Sequence, residues 1–278
     1  MAQLYNRINI TLVVALLLST LCAGQQPAKP AFHGSLLDGI GLPGQMWVAI
    51  GNLSPIEHNN VYFQSHAEQS AEIFAIDSQS ITITPYISMT GSFDTSGFDW
   101  NNKIDSGAGI RANKFFRAGV LSVGTAYSYE TRSINLKSGG LTLYAQDWFG
   151  WQPVSEKSSR FPGSSWMAVG NLSTVERGNI IAQAHISQGV VGKKLTTTTV
   201  MPYVEATLCH DTQGFDWENK VIYGTGLKMG IPHEEMYTEI GAAYLRENRF
   251  HSGQSAGGLT VFMNFAFSWT LLGRKVGN

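Results

Sequence analysis

Cysteine, charge and long apolar runs are all scarce in this chain of 278 residues. It has two cysteines, Cys22 and Cys209, and the first falls in an N-terminal segment that we expect to be removed. An intrachain disulfide is therefore excluded in the mature protein. Charged residues make up 14% of the chain, whereas a soluble domain usually has about 25%. This deficit predicts that much of the outer surface does not face water.

A block of one charge sign is also missing. The 19 Lys and Arg residues balance the 20 Asp and Glu residues to a net charge of -1, so we expect no nucleic-acid partner. No apolar run after residue 24 approaches the roughly 20 residues that a membrane-spanning helix needs. If the mature chain crosses a membrane, it must do so with strands.

The first 24 residues have the pattern of a secretory signal peptide. Arg7 supplies a positive charge, residues 8–21 form an apolar run, and residues 22–24 offer small side chains for cleavage before Gln25. An N-terminal anchor helix is the alternative, but the run has about 14 residues where about 20 are needed.

The second half of the chain repeats segments of the first half at a spacing of about 117 to 119 residues, the scale of a repeated multi-stranded unit. The matches are Gly-Asn-Leu-Ser at 51–54 and 170–173, Pro-Tyr at 85–86 and 202–203, and Gly-Phe-Asp-Trp at 97–100 and 214–217. A register kept for this length predicts two similar sheets that pair or close on each other.

Polarity alternates along the predicted strands, which indicates that each has one apolar and one polar face. The final strand shows this best, with an apolar face of Leu259, Val261, Met263, Phe265, Phe267, Trp269 and Leu271. A tilted strand of about 9 to 11 residues with this pattern can cross a bilayer.

These patterns predict an all-β fold, a single antiparallel transmembrane β-barrel of about 12 strands built from two homologous six-stranded halves. The count falls to about 10 if the segments at Trp47 and Trp166 are unpaired. In the first half we expect strands at 47–53, 61–76, 80–93, 103–114, 120–132 and 141–151. The connections 54–60, 94–100 and 135–140 are longer than those at 77–79 and 117–119, as expected for outer loops and periplasmic turns.

The expected organisation divides the chain into six segments. They are a signal peptide at 1–24, a flexible segment at 25–44, the first barrel half at 45–152, a connecting turn at 153–163, the second half at 164–272 and a tail at 273–278.

Ionisable residues in the inward phase of the strands are the candidates for a lumen site. They are His66, Glu68, Arg111, Glu130, Arg132, His185, Glu205, Lys228, Glu239, Glu247 and Arg249. They predict either a mixed-charge constriction that selects hydrophilic solutes or ion pairs that fill a narrow barrel without a passage. We further expect Arg111 and Lys228 to face the two carboxylates at 130 and 247 across the interior.

His66 and His185 occupy matching positions of the repeat, which makes them candidates for a metal site or a general base. No second ligand lies at a diagnostic spacing, and Ser187 stands where the first half has Glu68. We expect no catalytic residue, no metal and no cofactor.

Two matched loops are candidates for binding calcium or sugar, because they combine carboxylates with aromatic rings. Their candidate residues are Asp94, Asp99, Trp100, Asp211, Asp216 and Trp217. The structural alternative is a turn in which Gly97 and Gly214 adopt positive φ while the Phe and Trp rings anchor at the membrane boundary.

In its signal peptide, alternating strands, aromatic strand end at 148–151 and aromatic final strand, the chain resembles bacterial outer-membrane β-barrel proteins as a class. The resemblance implies an outer-membrane location and contact with lipid. We expect a non-enzymatic role as a pore or as an envelope transport or export component that passes or recognises a small hydrophilic solute or polysaccharide. Proteins of this class often end on an aromatic residue of the final strand. This chain departs from the class, because residues 273–278 follow its final strand.

Two alternatives remain at this stage. One is a secreted soluble protein with two β-sandwich modules that bind carbohydrate, for which residues 152–163 would be the linker. The other is an outer-membrane barrel enzyme, supported only by the paired histidines.

Overall fold

The computed structural model describes residues 42–76, 80–151, 161–192, 194–195, 198–233 and 236–270. The predicted signal peptide, the tail at 273–278, most of the segment at 25–44 and most of the turn at 153–163 lie outside the described residues. The first strand begins at Pro43, inside the segment expected to be flexible, and the first strand of the second half begins at Gly163, inside the expected turn.

Strands make up most of the described chain. In order they are β1 (Pro43–Gly51), β2 (Tyr62–Ser70), β3 (Phe74–Ile76), β4 (Ile81–Asp94), β5 (Lys103–Phe115), β6 (Gly119–Arg132), β7 (Lys137–Trp151), β8 (Gly163–Gly170), β9 (Ile181–Gly189), β10 (Lys194–Leu195), β11 (Thr198–Asp211), β12 (Lys220–His233), β13 (Met236–Arg249) and β14 (Ser255–Thr270). A short 3-10 turn, Asp216–Glu218, lies between β11 and β12. Among the described residues, no helix is long and apolar enough to cross a bilayer.

Twelve of these strands close into one antiparallel barrel. The ring runs β1, β2, β4, β5, β6, β7, β8, β9, β11, β12, β13, β14 and returns to β1, while β3 and β10 extend the edges of β4 and β11. The first and last strands pair over their full overlap, from Pro43 opposite Thr270 to Gly51 opposite Phe262. Closure gives every strand of the ring two neighbours, which a membrane interior requires. The predicted fold class and the count of about 12 strands are confirmed.

The two ends of the barrel differ in their connections. The "loop end" carries the loops 52–61, 95–102, 133–136, 171–180, 212–219 and 250–254, and the "terminal end" carries the start of β1 and the end of β14. At the terminal end, β5 and β6 are joined by the short turn 116–118. The third predicted long loop is wrong in its bounds, because residues 137–140 already pair with β6 as the start of β7.

The second predicted strand, 61–76, is also wrong as a continuous element. Ser70 pairs with Tyr86 and Phe74 with Ile83, so residues 71–73 stand opposite only Thr84 and Pro85. Pro85 accepts from the Ala71 N–H at 3.0 Å but has no N–H to return. An extra residue is therefore accommodated as a bulge beside a proline, where the ladder is already incomplete.

The barrel has an apolar outside and a polar inside, as the alternation predicts. In β14, Val261 is 55% exposed on the outer face and the adjacent Thr260 is 1% exposed on the inner face. On β4, Ile87 and Met89 are exposed while Thr84 is buried. This is the surface of a barrel that faces lipid on the outside.

The matched segments of the sequence occupy matched places in the ring. The 51–54 and 170–173 segments both follow strands at the loop end, and Pro85 and Pro202 both lie where a neighbouring strand breaks. That the two halves descend from one duplicated unit stays a prediction.

A cation on the lipid face should damage the barrel more than the same cation on the inner face. Near the middle of β14, Val261→Arg should cost about 2–4 kcal/mol of folding free energy, because the guanidinium would face the bilayer interior. Asn264→Arg, which points to the lumen, is the matched control and should cost less. Urea unfolding of both variants in lipid vesicles measures the difference, and equal losses would contradict the face assignment.

Candidate functional site in the lumen and at the loop end

A cavity of about 1760 Å³ occupies the inside of the barrel. Its lining extends from Ser70 and Phe115 near the terminal end to Trp100 and Trp217 at the loop end. Between these limits the walls are mainly hydroxyl, amide and ionised side chains. The cavity is the space in which a solute could be held or passed.

On one wall, four residues from three strands form a layered shelf. The ring of Tyr86 lies over Gly109, where an added Cβ would come within 2.8 Å of the ring. The guanidinium carbon of Arg111 lies 4.9 Å from the centre of the same ring. Arg111 also donates two hydrogen bonds of 2.6 Å to the carboxylate of Glu68. The bidentate geometry holds the positive and the negative group of this wall in fixed positions.

A second shelf stands on the opposite wall with the same layers. Tyr203 lies over Gly226, again at 2.8 Å from an added Cβ, and the Lys228 ammonium lies 4.8 Å from the ring centre. Lys228 pairs with Glu239 at 3.0 Å. Glu205, another predicted lumen residue, accepts a hydrogen bond of 3.3 Å from the Tyr203 hydroxyl.

The expected facing of Arg111 and Lys228 with Glu130 and Glu247 is wrong. Arg111 is aligned with Gly124 of β6, whereas Glu130 is aligned with Asp105, six residues from Arg111 along β5. At about 3.3 Å per residue this separates the two levels by about 20 Å. All four charges have the inward phase, but they lie at different heights in the barrel.

Glu130 instead belongs to a buried cluster at the loop end. It accepts hydrogen bonds from Ser173 Oγ at 2.6 Å, from Arg132 Nε at 2.8 Å and from the Thr174 N–H at 3.1 Å. Arg132 also pairs with Glu176 at 2.5 Å and with Asp99 at 3.6 Å. Because Ser173 and Glu176 belong to the loop 171–180, the cluster holds that loop against β6.

A matching cluster surrounds Glu247 and holds the loop 52–61. Glu247 accepts from Ser54 Oγ at 2.5 Å and from Arg249 Nε at 2.9 Å. Arg249 pairs with Glu57 at 2.5 Å and with Asp216 at 3.8 Å. Both central carboxylates are completely buried.

Sequence reasoning missed the loop partners of these clusters. The signal was present as a repeated Ser-x-x-Glu, at 54–57 and at 173–176. In both copies the serine Oγ accepts a hydrogen bond from the glutamate N–H at 3.2 Å, so each loop opens with a local turn before it reaches the barrel wall.

Asp94 and Asp211 brace the loops 95–102 and 212–219. Asp94 accepts from the Gly97 N–H at 2.6 Å and from the Asn101 side chain at 2.8 Å, and Asp211 accepts from the Gly214 N–H at 2.7 Å. Gly97 and Gly214 have φ of 76° and 80°, as the structural alternative predicts. The carboxylate oxygens of this pair of aspartates are engaged by their own turns.

The same two loops join over the mouth of the barrel through an "aromatic bridge" of Phe98, Trp100, Trp217 and Phe215. Ring centres along this order are 4.6, 4.4 and 4.7 Å apart, with interplanar angles of 11°, 7° and 14°. One loop follows β4 and the other follows β11, so six strands separate the loops in either direction around the ring. The bridge therefore spans the loop end from wall to wall.

The bridge corrects the expectation that these rings anchor at the membrane boundary. Trp100 and Trp217 line the lumen cavity instead of pointing to lipid. Stacking on one another gives the indole rings apolar contact without a bilayer.

The two predicted histidines sit in matching aromatic niches. His66 stacks on Trp47 with ring centres 5.9 Å apart and shares a hydrogen bond of 2.8 Å with Thr90. His185 stacks on Trp166 at 6.0 Å and shares one of 2.9 Å with Thr207. Within the described ranges, no three His, Cys, Asp or Glu residues converge as metal ligands would.

Removing the carboxylate of Glu130 should release the loop 171–180. In Glu130→Ala, buried Arg132 loses one of its partners and Ser173 loses its acceptor, so we expect a loss of about 3–5 kcal/mol and faster proteolysis of the loop. Glu130→Gln keeps an acceptor and should be milder. Urea unfolding and limited proteolysis measure both effects, and a Glu130→Ala protein as stable as the native one would contradict the role of the cluster.

No protein family matches the sequence, and no curated protein sequence is significantly similar to it. The resemblance to bacterial outer-membrane β-barrel proteins is confirmed at the level of the fold, by the closed antiparallel ring and its apolar exterior.

Solved structures with a similar shape include the β domain of the Bordetella autotransporter BrkA, at 11% identity over 84% of this chain and 100% of that chain, with a TM-score of 0.40. An outer membrane channel from Pseudomonas putida F1 has 7% identity over 87% and 100%, with a TM-score of 0.43. OmpT, an outer membrane protein of Vibrio cholerae, has 9% identity over 85% and 100%, with a TM-score of 0.34. These values indicate no particular family and no particular function.

Proposed function

We propose that the protein is a pore of the bacterial outer membrane that passes small hydrophilic solutes and that is narrowed at its loop end by the aromatic bridge. The observation that carries this proposal is the polar cavity that runs along the barrel from the terminal end to the underside of the bridge. A barrel whose interior served only as packing would be filled by side chains along this length.

The walls suit an uncharged or weakly charged polar solute. The shelf cations are both paired, Arg111 with Glu68 and Lys228 with Glu239, so each shelf presents both signs of charge. Hydroxyl groups such as those of Thr90 and Thr207, which also line the cavity, add donors and acceptors on the same walls. A lining of mixed polarity can replace the hydration of a small solute without retaining it strongly.

The aromatic bridge sets the resting state of this pore. Its two tryptophans stack at 4.4 Å, so no solute can pass between them until the loops separate. The ion clusters around Glu130 and Glu247 fold two further loops towards the same mouth. We expect a low conductance at rest.

Trimming the bridge should raise the conductance. Trp100→Ala and Trp217→Ala each remove one of the central rings, and in planar bilayers each should conduct severalfold more than the native protein. Trp151→Phe is the control, because that indole donates to Gln188 away from the bridge and its loss should leave the conductance unchanged.

Heat-modifiable migration on gels should accompany these recordings, because it identifies folded barrels. If the native protein and both alanine variants fold but none conducts, the lumen is not a path and the proposed pore is wrong.

The shelf ion pairs should control charge selectivity. Arg111→Gln combined with Lys228→Gln leaves Glu68 and Glu239 without their cations, so the pore should shift towards cations. The reversal potential across a salt gradient, recorded in the Trp100→Ala background, measures the shift. Lys137→Gln removes a charge from an exposed position and should not change it; an unaltered reversal potential in the double variant would contradict the assignment.

A further inference from the structure

The two loops of the aromatic bridge differ at two matched positions, where Ser96 and Asn101 of the first loop face Gln213 and Glu218 of the second in the alignment. The second of these differences lies next to the stacked tryptophans. After Trp100 the first loop has Asn101, whose amide donates to Asp94 at 2.8 Å. After Trp217 the second loop has Glu218. The bridge is thus nearly symmetric in its rings, but one of its loops carries an additional acid next to its tryptophan.

Glu218 is turned towards other carboxylates. Asn179 Nδ2 donates to it at 3.3 Å and also to Glu176 at 3.1 Å and to Asp211 at 2.9 Å, so one amide gathers three acids. Glu176 comes from the loop 171–180 and Asp211 from the end of β11. The opposing charge is Lys103, at the start of β5.

The other charges near this group are already paired. Glu176 is bound to Arg132 at 2.5 Å, and Lys103 lies 3.9 Å from Glu130. An ionised Glu218 would therefore add a negative charge to a site whose cations are shared with other acids. Three carboxylates around one amide are held together most easily when one of them keeps its proton.

We propose that Glu218 is a proton-controlled latch of the aromatic bridge: protonated, it lets the loop 212–219 stay seated with Trp217 on Trp100, and ionised, it drives that loop away and opens the mouth.

The electrostatics of the site agree with this geometry. Burial, with added repulsion from Glu176 and Asp211 against the attraction of Lys103, raises the pKa of Glu218 from 4.5 to about 8. In a released loop the carboxyl would be hydrated and return to its ordinary pKa. The seated loop therefore binds a proton that the released loop loses, so the free energy of seating is greatest below pH about 4.5 and has been lost by pH about 8.

This regulation rests on the proposed pore, but the movement of the bridge can be measured without any conduction. Two stacked indoles give an exciton band in circular dichroism, and the band disappears when they separate. The full chain, folded in detergent, should show the band at pH 6 and lose it by pH 9.

Glu218→Asn gives the second loop the residue that the first loop has, so it should keep the band throughout this range. Glu218→Gln serves as a second variant if the first does not fold. Glu176→Gln removes the repelling neighbour and should keep the bridge seated to higher pH. Glu72→Gln makes the same change of charge at the terminal end and should retain the native pH response.

The latch is overturned if the native band does not change between pH 6 and pH 9, or if Glu218→Asn and Glu218→Gln lose the band as the native protein does. Conductance recorded over the same pH range separates the two proposals. A band that follows pH and depends on Glu218 in a protein that never conducts would support the latch and refute the pore.

Discussion

A backbone that crosses a bilayer can form hydrogen bonds only with itself, and the pairing of β1 with β14 is what completes this requirement here. Once the first and last strands meet, the number of strands is fixed and every residue must face either lipid or lumen. The apolar exterior, the polar walls and the cavity all follow from that division. The short β3 and β10 lie outside the ring. The chain can therefore be interrupted between β2 and β3, beside Pro85, and between β9 and β10, beside Pro202, without opening the ring.

At the loop end, buried charge serves to hold backbone in place. Glu130 and Glu247 each accept hydrogen bonds from a loop serine and from an arginine of the same strand. These two carboxylates attach the loops 171–180 and 52–61 to the barrel wall. Buried carboxylates are tolerated when their hydrogen bonds are satisfied, as they are in both clusters. The arginines extend the attachment to Asp99 and Asp216 in the loops of the aromatic bridge. Four loops are thus linked around the mouth, so a change in one can reach the others.

Period-two alternation predicted the faces of the strands, including that of Val261, and the even number of strands followed from the repeat. Alternation does not give the height of a residue along the barrel, because height depends on register, and this is why Arg111 was matched with Glu130 instead of Glu68. The loop partners of Glu130, Ser173 and Thr174, lie more than 40 residues later in the chain, and no local pattern indicates such a contact. The location of the bridge tryptophans could not be predicted for a similar reason, because an aromatic ring at a strand end can contact lipid or another ring equally well. Pro85 was visible in the sequence, but its effect on β2 depends on which residue lies opposite.

In the two shelves, the width of the lumen and its charge depend on different residues. How far each shelf projects depends on a bare glycine, Gly109 or Gly226, that lets a tyrosine ring lie flat against the wall. The sign of the charge depends on the ion pair resting above the ring. Since these are different layers, related barrels could change the size of the molecules they admit by altering the glycine, and could change the preferred charge by altering the pair. Neither adjustment would require a new strand or a different circumference.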